Sequence, residues 1–413
     1  MSATVPVHDL RVGMFIHLDL GWMQHPFALS SFRLTSPEQI DTLRGLGLRE
    51  VRWDPERSEA PPAEAAPAPP APPAETPQTA AARARREALA AQRQAAQLLE
   101  RQCNEAAQAL REVGRQAQDR PVEAREATEA LARKLVDQLL GDGEMCIRLL
   151  NTQVGDRAAA HGLNVAIVAL LVGRGLGLQA SELTDLGVGS MLHDVGKLEL
   201  PARVRHPDES FSTAETHAYR DHVQRGVQRG RAMGLAPGAL AVLAQHHEHA
   251  DGSGFPLRPP ADRITLAARI VCIVNRYDNL CNPAVLARAL TPHEAISMLF
   301  AQSRHRFDAA VLGSFIRMMG VYPAGSCVEL SDGRHALVVG ANASRPLKPR
   351  VLVHDPHVPR DEALFLDLET VPELGIRRSV LPARLPPAAL EYLAPRPRVT
   401  YFFEPAPARE ARA

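Results

Sequence analysis

Six side chains in the middle of this 413-residue chain are of the types that hold borderline divalent metals: His161, His193, Asp194, His222, His246 and His247. Fe, Mn, Zn and Ni accept imidazole nitrogens and carboxylate oxygens. One carboxylate can bridge two ions, and a two-ion site clamps the attacking and leaving oxygens of a phosphate ester. In HDVGK, Lys197 follows His193 by four residues and Asp194 by three. On a helix that spacing turns all three toward one pocket, where the lysine can hold a phosphate oxygen or stabilise charge in a transition state. Taken singly, each residue has an ordinary alternative. A lone helical histidine is more often hydrogen-bonded or surface-exposed than a ligand. His-His can be a solvated helix end in a chain with 16 histidines, and His206, His249, His293 and His305 are read in that ordinary way.

Such a set needs a scaffold, and from Glu144 to Met319 the sequence reads as helix after helix. Ser212 with Glu215, and Thr291 with Pro292 and Glu294, are capping boxes that start two of these helices. Ahead of them, residues 1–54 form a small α/β module. There Ser36, Pro37 and Gln39 open a helix, Gly45 and Gly47 end it, and Leu48 to Trp53 follow as a strand. Residues 55–77 are a Pro/Ala-rich linker that cannot supply a core and favours extended backbone. Residues 78–140 are a helical connector in which Leu89, Ala96, Cys103 and Leu110 recur every seven positions, joined by Leu99, Ala106 and Val113. This heptad seam, interrupted by Gln92, fits either a coiled-coil homodimer or a helix packed on its own chain. The helical domain itself spans 142–322, and 323–405 read as a small β-rich extension with Asp332-Gly333 as a hairpin turn. The predicted fold class is mainly α.

Lys plus Arg and Asp plus Glu each number 47, so no net charge draws the chain to a nucleic-acid polymer or an anionic membrane. The longest purely apolar run, Val165 to Val172, is shorter than a bilayer span, and Met1 to Val12 has no apolar signal core. Five cysteines without a Cys-x-x-Cys pair read as reduced thiols, so the expected location is cytoplasmic.

HDVGK at 193–197, Arg220-Asp-His222 with Gly226, and HHEHADGSGFP at 246–256 succeed one another in a way that resembles the HD-GYP branch of the HD phosphohydrolases. Arg269 and FDAAVL at 307–312 also match, and Phe255 is the one departure within Gly-Tyr-Pro. The first 50 or so residues resemble a domain of unknown function common ahead of HD-GYP domains. The resemblance implies an all-α HD-type domain that hydrolyses cyclic di-GMP with two divalent ions (Fe, Mn, Ni or Zn). It implies His161, His193, Asp194, His222, His246 and His247 as ligands, with Asp194 bridging and catalytic and Lys197 acting at phosphate. It also implies substrate contacts from Asp251, Gly252, Gly254, Phe255 and Pro256.

Three departures bear on activity. A later ligand Asp of the family falls on Asn275, with Asp278 nearby; Asn keeps an acceptor oxygen but not the charge. The Glu of three-metal members, four residues before the first ligand histidine, is Arg157, which argues against a third ion. The family's Arg-Pro-Tyr-Arg/Lys substrate patch falls on Ala284 to Ala287, leaving Arg288 as the nearby replacement. The expected function is thus a cyclic di-GMP phosphodiesterase with weakened activity. The alternatives are a catalytically degenerate module that binds nucleotides or signalling proteins, and a hydrolase of another phosphoester.

Overall fold

In a computed structural model of the chain, the described residues are 3–21, 24–59, 76–141, 143–151, 155–341 and 344–406. They fall into two compact units, Met1–Ala90 and Ala91–Ala413. The first unit pairs β1 (Ala3–Pro6), β2 (Phe15–His17), β3 (Ser31–Arg33) and β4 (Glu50–Asp54) in the antiparallel order β1-β4-β2-β3. Helix α1 (Pro37–Gly45) begins where expected: the Gln39 side-chain oxygen turns back to the backbone N–H of Thr35, at 2.7 Å, and of Ser36. Its Ile40 and Leu43 join Ile16, Leu18 and Leu34 in the core of this unit. Gly47 ends the turn at φ +73°, a left-handed conformation that favours glycine. Most of the expected linker, 60–75 of 55–77, lies outside the described residues.

Helix α2 (Pro77–Gln116) starts in the first range and ends in the second. From Leu99 onward its seam (Leu99, Cys103, Ala106, Leu110 and Val113) is buried within the chain itself, which favours the packed helix over the coiled coil. Gln92 has a specific partner: its amide spans the Ala363 carbonyl and the Phe365 N–H, at 2.9 and 2.8 Å. Helix α3 (Pro121–Leu140) buries Leu131, Leu135 and Leu139 completely.

The segment expected to open the helical run instead forms strand β5 (Met145–Leu149). It lies between two late strands, β7 (His335–Ala341) and β11 (Tyr401–Pro405), so what fixes its conformation is nearly 200 residues away or more. Then come α4 (Arg157–Gly175), α5 (Ala180–Leu192), α6 (Thr213–Met233), α7 (Pro237–Gln245), α8 (Leu266–Cys281), α9 (Pro292–Ser303) and α10 (Ala309–Met319). The rest of the sheet is β6 (Cys327–Leu330), β8 (Arg350–Val353), β9 (Leu366–Asp367) and β10 (Ile376–Ser379), with α11 (Pro387–Leu393) before β11. Its order is β10-β6-β7-β5-β11, with β8 pairing β7 and β9. The β6–β7 turn carries Gly333 at φ +86°, as Asp332-Gly333 predicts.

The late strands of the β-rich extension are bonded to the helices. Asn164 of α4 accepts the Tyr401 N–H at 3.0 Å, and the Tyr401 hydroxyl lies 2.9 Å from that of Tyr277 on α8. Among the described residues α4 is the one helix long and apolar enough to cross a membrane, yet 72% of its apolar window is buried inside the fold.

Candidate metal centre

Each of the six predicted ligands stands on or at the end of a helix that points it inward. His161 is on α4 and His222 on α6, while His193 and His246 are the C-terminal caps of α5 and α7, with His247 next in the chain. The expected single helix through HDVGK ends at His193. Asp194 leaves helical geometry and Val195–Glu199 form a 3-10 turn. The reason is steric: the turn crosses α6 so closely that a Cβ on Gly196 would collide with the His222 carbonyl and the backbone of Gly226. Gly196→Ala should therefore destabilise the fold by about 3 kcal/mol and lower metal content without touching a ligand. A denaturant titration within experimental error of the wild type would contradict this.

Three of the histidines use one device to fix their tautomer. The Nδ1–H of His193, His222 and His246 donates to the carbonyl three residues back, Ser190 at 2.7 Å, Tyr219 at 2.5 Å and Leu243 at 3.0 Å. A carbonyl only accepts, so Nε2 of each neutral ring carries a lone pair. His161 Nδ1 is likewise taken by Asp278 Oδ2, at 2.6 Å, the carboxylate–histidine arrangement that orients metal ligands. The free nitrogens face one another: His161 Nε2 is 3.2 Å from His193 Nε2, and His222 Nε2 is 3.3 Å from His246 Nε2. Two lone pairs at that distance repel unless a cation lies between them.

Asp194 stands between the two pairs. Its Oδ2 is 3.7 Å from His161 Nε2 and 3.6 Å from His193 Nε2. Its Oδ1 is 3.6 Å from His222 Nε2 and 3.9 Å from His246 Nε2. The six residues therefore sort into two groups that share Asp194: His161, His193, Asp194, and Asp194, His222, His246, His247. Asp194 Oδ1 and His247 Nε2 are buried without a hydrogen-bond partner, a costly state that a bound ion would remove. The donor set fits divalent metal.

Burial pushes His193 down to about 4 and holds His222, His246 and His247 below the ordinary histidine range, so all four stay neutral and able to ligate. At Asp194 burial acts to raise the carboxyl, but Lys197, His193, His222 and His161 outweigh it and hold it well below the carboxylate range. Lys197 donates to Asp194 Oδ2 at 2.7 Å, and that contact raises its ammonium against the effect of burial. The ammonium also lies 5.2 Å from the ring centroid of Tyr219, which the sequence reading left out.

Beside the second group is a cavity of about 270 Å³ lined by Tyr219, His246, His247, Phe255, Arg276 and Arg306, among others. Phe255 stacks on His247 at 4.4 Å and so supplies an aromatic face at the family's Tyr position. Asn275 is buried in the same lining and accepts from Asn279 Nδ2 at 2.6 Å. His249 also lines it, bonded to Ser253. The loop that carries Phe255 is tied down by buried Glu248, whose carboxylate accepts the N–H of Leu257 at 2.7 Å and of Arg258 at 3.1 Å. Gly254 packs against His247 and Glu248 backbone with no room for a Cβ, and Gly252 turns at φ +73°. Asp251 accepts the Ser253 N–H within the loop. Asp251, Gly252, Gly254, Pro256 and Arg288 are absent from the linings of the cavities at the centre, and Arg288 is exposed, 3.7 Å from Asp208. A second cavity, about 240 Å³, opens beside His161 and Asp278. A further cavity of about 450 Å³, lined by Gln92, Arg148 and Phe365 among others, includes none of the six residues.

Residues 2–128 match a domain of unknown function, DUF3391, and residues 144–311 match the HD domain. The first match extends past the expected 50 residues and through α2. Cyclic di-GMP phosphodiesterase PA4108 of Pseudomonas aeruginosa is 27% identical over 358 residues, 86% of this chain and 85% of its own length. The cyclic di-GMP phosphodiesterase response regulator RpfG of Xanthomonas campestris is 31% identical over 153 residues, 36% of this chain and 40% of its own length. Among solved structures, Bd1817, an HDG"Y"P protein from Bdellovibrio bacteriovorus, aligns over 76% of this chain and 98% of its own at 15% identity and a TM-score of 0.44. The chain therefore carries an HD domain behind a DUF3391 module, an arrangement that fits the HD-GYP type.

Proposed function

We propose that the chain is a metal-dependent phosphodiesterase that hydrolyses cyclic di-GMP. The observation that carries this reading is Asp194, which turns one oxygen toward each histidine group. Two divalent ions would be held, one by His161, His193 and Asp194, the other by Asp194, His222, His246 and His247. Bound there, such ions supply Lewis-acid activation of water and neutralise charge at phosphorus. The chain's own groups do the rest. Lys197 steadies Asp194 and offers a donor to a phosphate oxygen. Phe255 gives a nucleobase a face to stack on, and Arg276 and Arg306 replace the arginines missing at Ala284 to Ala287. The test is incubation of the purified chain with cyclic di-GMP and Mn²⁺ or Fe²⁺, with and without chelator. Linear dinucleotide or GMP should form only with metal; formation that survives chelation would overturn the reading.

A second reading, a degenerate binding module, is favoured by one residue, Asn275. Asn275→Asp keeps the acceptor for Asn279 and adds a negative charge beside His246 and His247. Metal affinity should rise by more than ~10-fold, with turnover increasing alongside it. More metal without turnover would favour the binding module. Unchanged metal with a lower melting temperature would remove position 275 from the ligand set.

A further inference from the structure

The cavity of about 240 Å³ beside His161 holds a feature that the metal centre does not use. Its lining includes His161, Asn164 and Asp278, and also two arginines, Arg157 and Arg398. Arg157 is the first residue of α4, one turn before His161, and Arg398 lies just ahead of β11. Both are half-buried, and among the described residues neither has a hydrogen-bond or ion-pair partner. Burial and the neighbouring Arg398 push Arg157 below its ordinary value, so the two cations act on each other. Asp278 and Asp194 pull the other way. Asp278, however, already takes bonds from His161, Asn164 and Asn282, and Asp194 takes one from Lys197.

The position of Arg398 is fixed by its neighbour. The Val399 N–H donates to Asn282 Oδ1 at 2.9 Å, and the Val399 carbonyl accepts from Asn164 at 2.9 Å and Asn282 at 3.0 Å. Two unpaired guanidinium groups on a braced backbone, with a shared wall at His161, make a place that an anion would complete. Guanidinium suits phosphate because its planar donors can bind two oxygens at once.

We propose that Arg157 and Arg398 form an anion subsite for the phosphodiester group of the substrate that is not being cleaved. The proposal rests on the phosphodiesterase reading, in which a cyclic dinucleotide presents one phosphodiester to the metal centre and carries a second. It assigns the C-terminal extension a direct part in substrate recognition.

The test compares wild type with Arg157→Ala, Arg398→Ala and the double variant on two substrates. Cyclic di-GMP has the second phosphate; bis(p-nitrophenyl) phosphate has one diester only. The ratio of kcat/KM for cyclic di-GMP to that for the simple diester should fall ~10–100-fold per arginine, mainly through KM, with metal content unchanged. An unchanged ratio, or a loss of bound metal, would overturn the subsite. If the wild type hydrolyses neither ester, the phosphodiesterase reading fails by itself. The subsite is then judged by equilibrium binding of inorganic phosphate to the chelator-treated chain. Weaker binding by the double variant supports it; equal binding by both, or by neither, overturns it.

Discussion

Asp194→Asn should empty both histidine groups and lower hydrolysis of cyclic di-GMP by well over ~100-fold, beyond the usual effect of a residue behind the ligands. The substitution keeps the shape of the side chain and removes the one charge that both groups share. His193→Ala should act on one group only, so its metal content should fall by a single ion while Asp194→Asn loses both. Asp194→Asn should also melt earlier. It leaves the Lys197 ammonium, 13% exposed, without its carboxylate, and breaking a buried pair from one side costs about 3–5 kcal/mol. The double variant Asp194→Asn/Lys197→Met should recover much of that stability and none of the metal. Elemental analysis and thermal melts on the four proteins check each point, and unchanged metal in both single variants would remove the assignment.

A chain ending at Tyr322 should lose the His161 group of ligands and fail to fold cooperatively, although no predicted ligand lies beyond that point. The deletion takes β7 and β11 from both sides of β5, and it removes Tyr401, Phe402 and Phe403, each no more than 1% exposed. It also takes away the Val399 carbonyl that holds Asn164 and Asn282, the two amides that bond Asp278. Asp278 in turn orients His161. Asn282→Ala is the gentler form of the same experiment. A folded protein is expected, with weaker metal at the His161 group, by ~10–100-fold for a partner behind the ligands. A shortened chain with full metal content and a sharp melting transition would show the extension to be dispensable.

What the sequence made legible follows from where each feature is encoded. Five of the six proposed ligands sit in short motifs, HDVGK, Arg220-Asp-His222 and HHEHADGSGFP, whereas His161 was placed by the family resemblance alone. The helix starts at Ser36, Ser212 and Thr291 were readable because a capping box is complete within four residues. β5 was misread as helix because its partners lie near the far end of the chain, and MCIRL alone does not specify a strand. The helix through HDVGK was drawn too long because the crossing of Gly196 and Gly226 joins two segments thirty residues apart. Asp278 drew notice only as a neighbour of Asn275, because its contact with His161 Nδ1, at 2.6 Å, joins residues more than a hundred positions apart. Tyr219 and Arg398 left no signal of their own: a tyrosine beside a lysine and an unpaired arginine show their use only once the chain is folded.

The account turns on two ions sharing Asp194, and anomalous diffraction from crystals of the Mn²⁺-loaded chain tests this most directly. Two peaks are predicted, one at ligand distance, about 2.0–2.3 Å, from His161, His193 and one oxygen of Asp194. The other should touch His222, His246, His247 and the second oxygen. A single peak, or two peaks of which only one touches Asp194, would contradict the bridged centre.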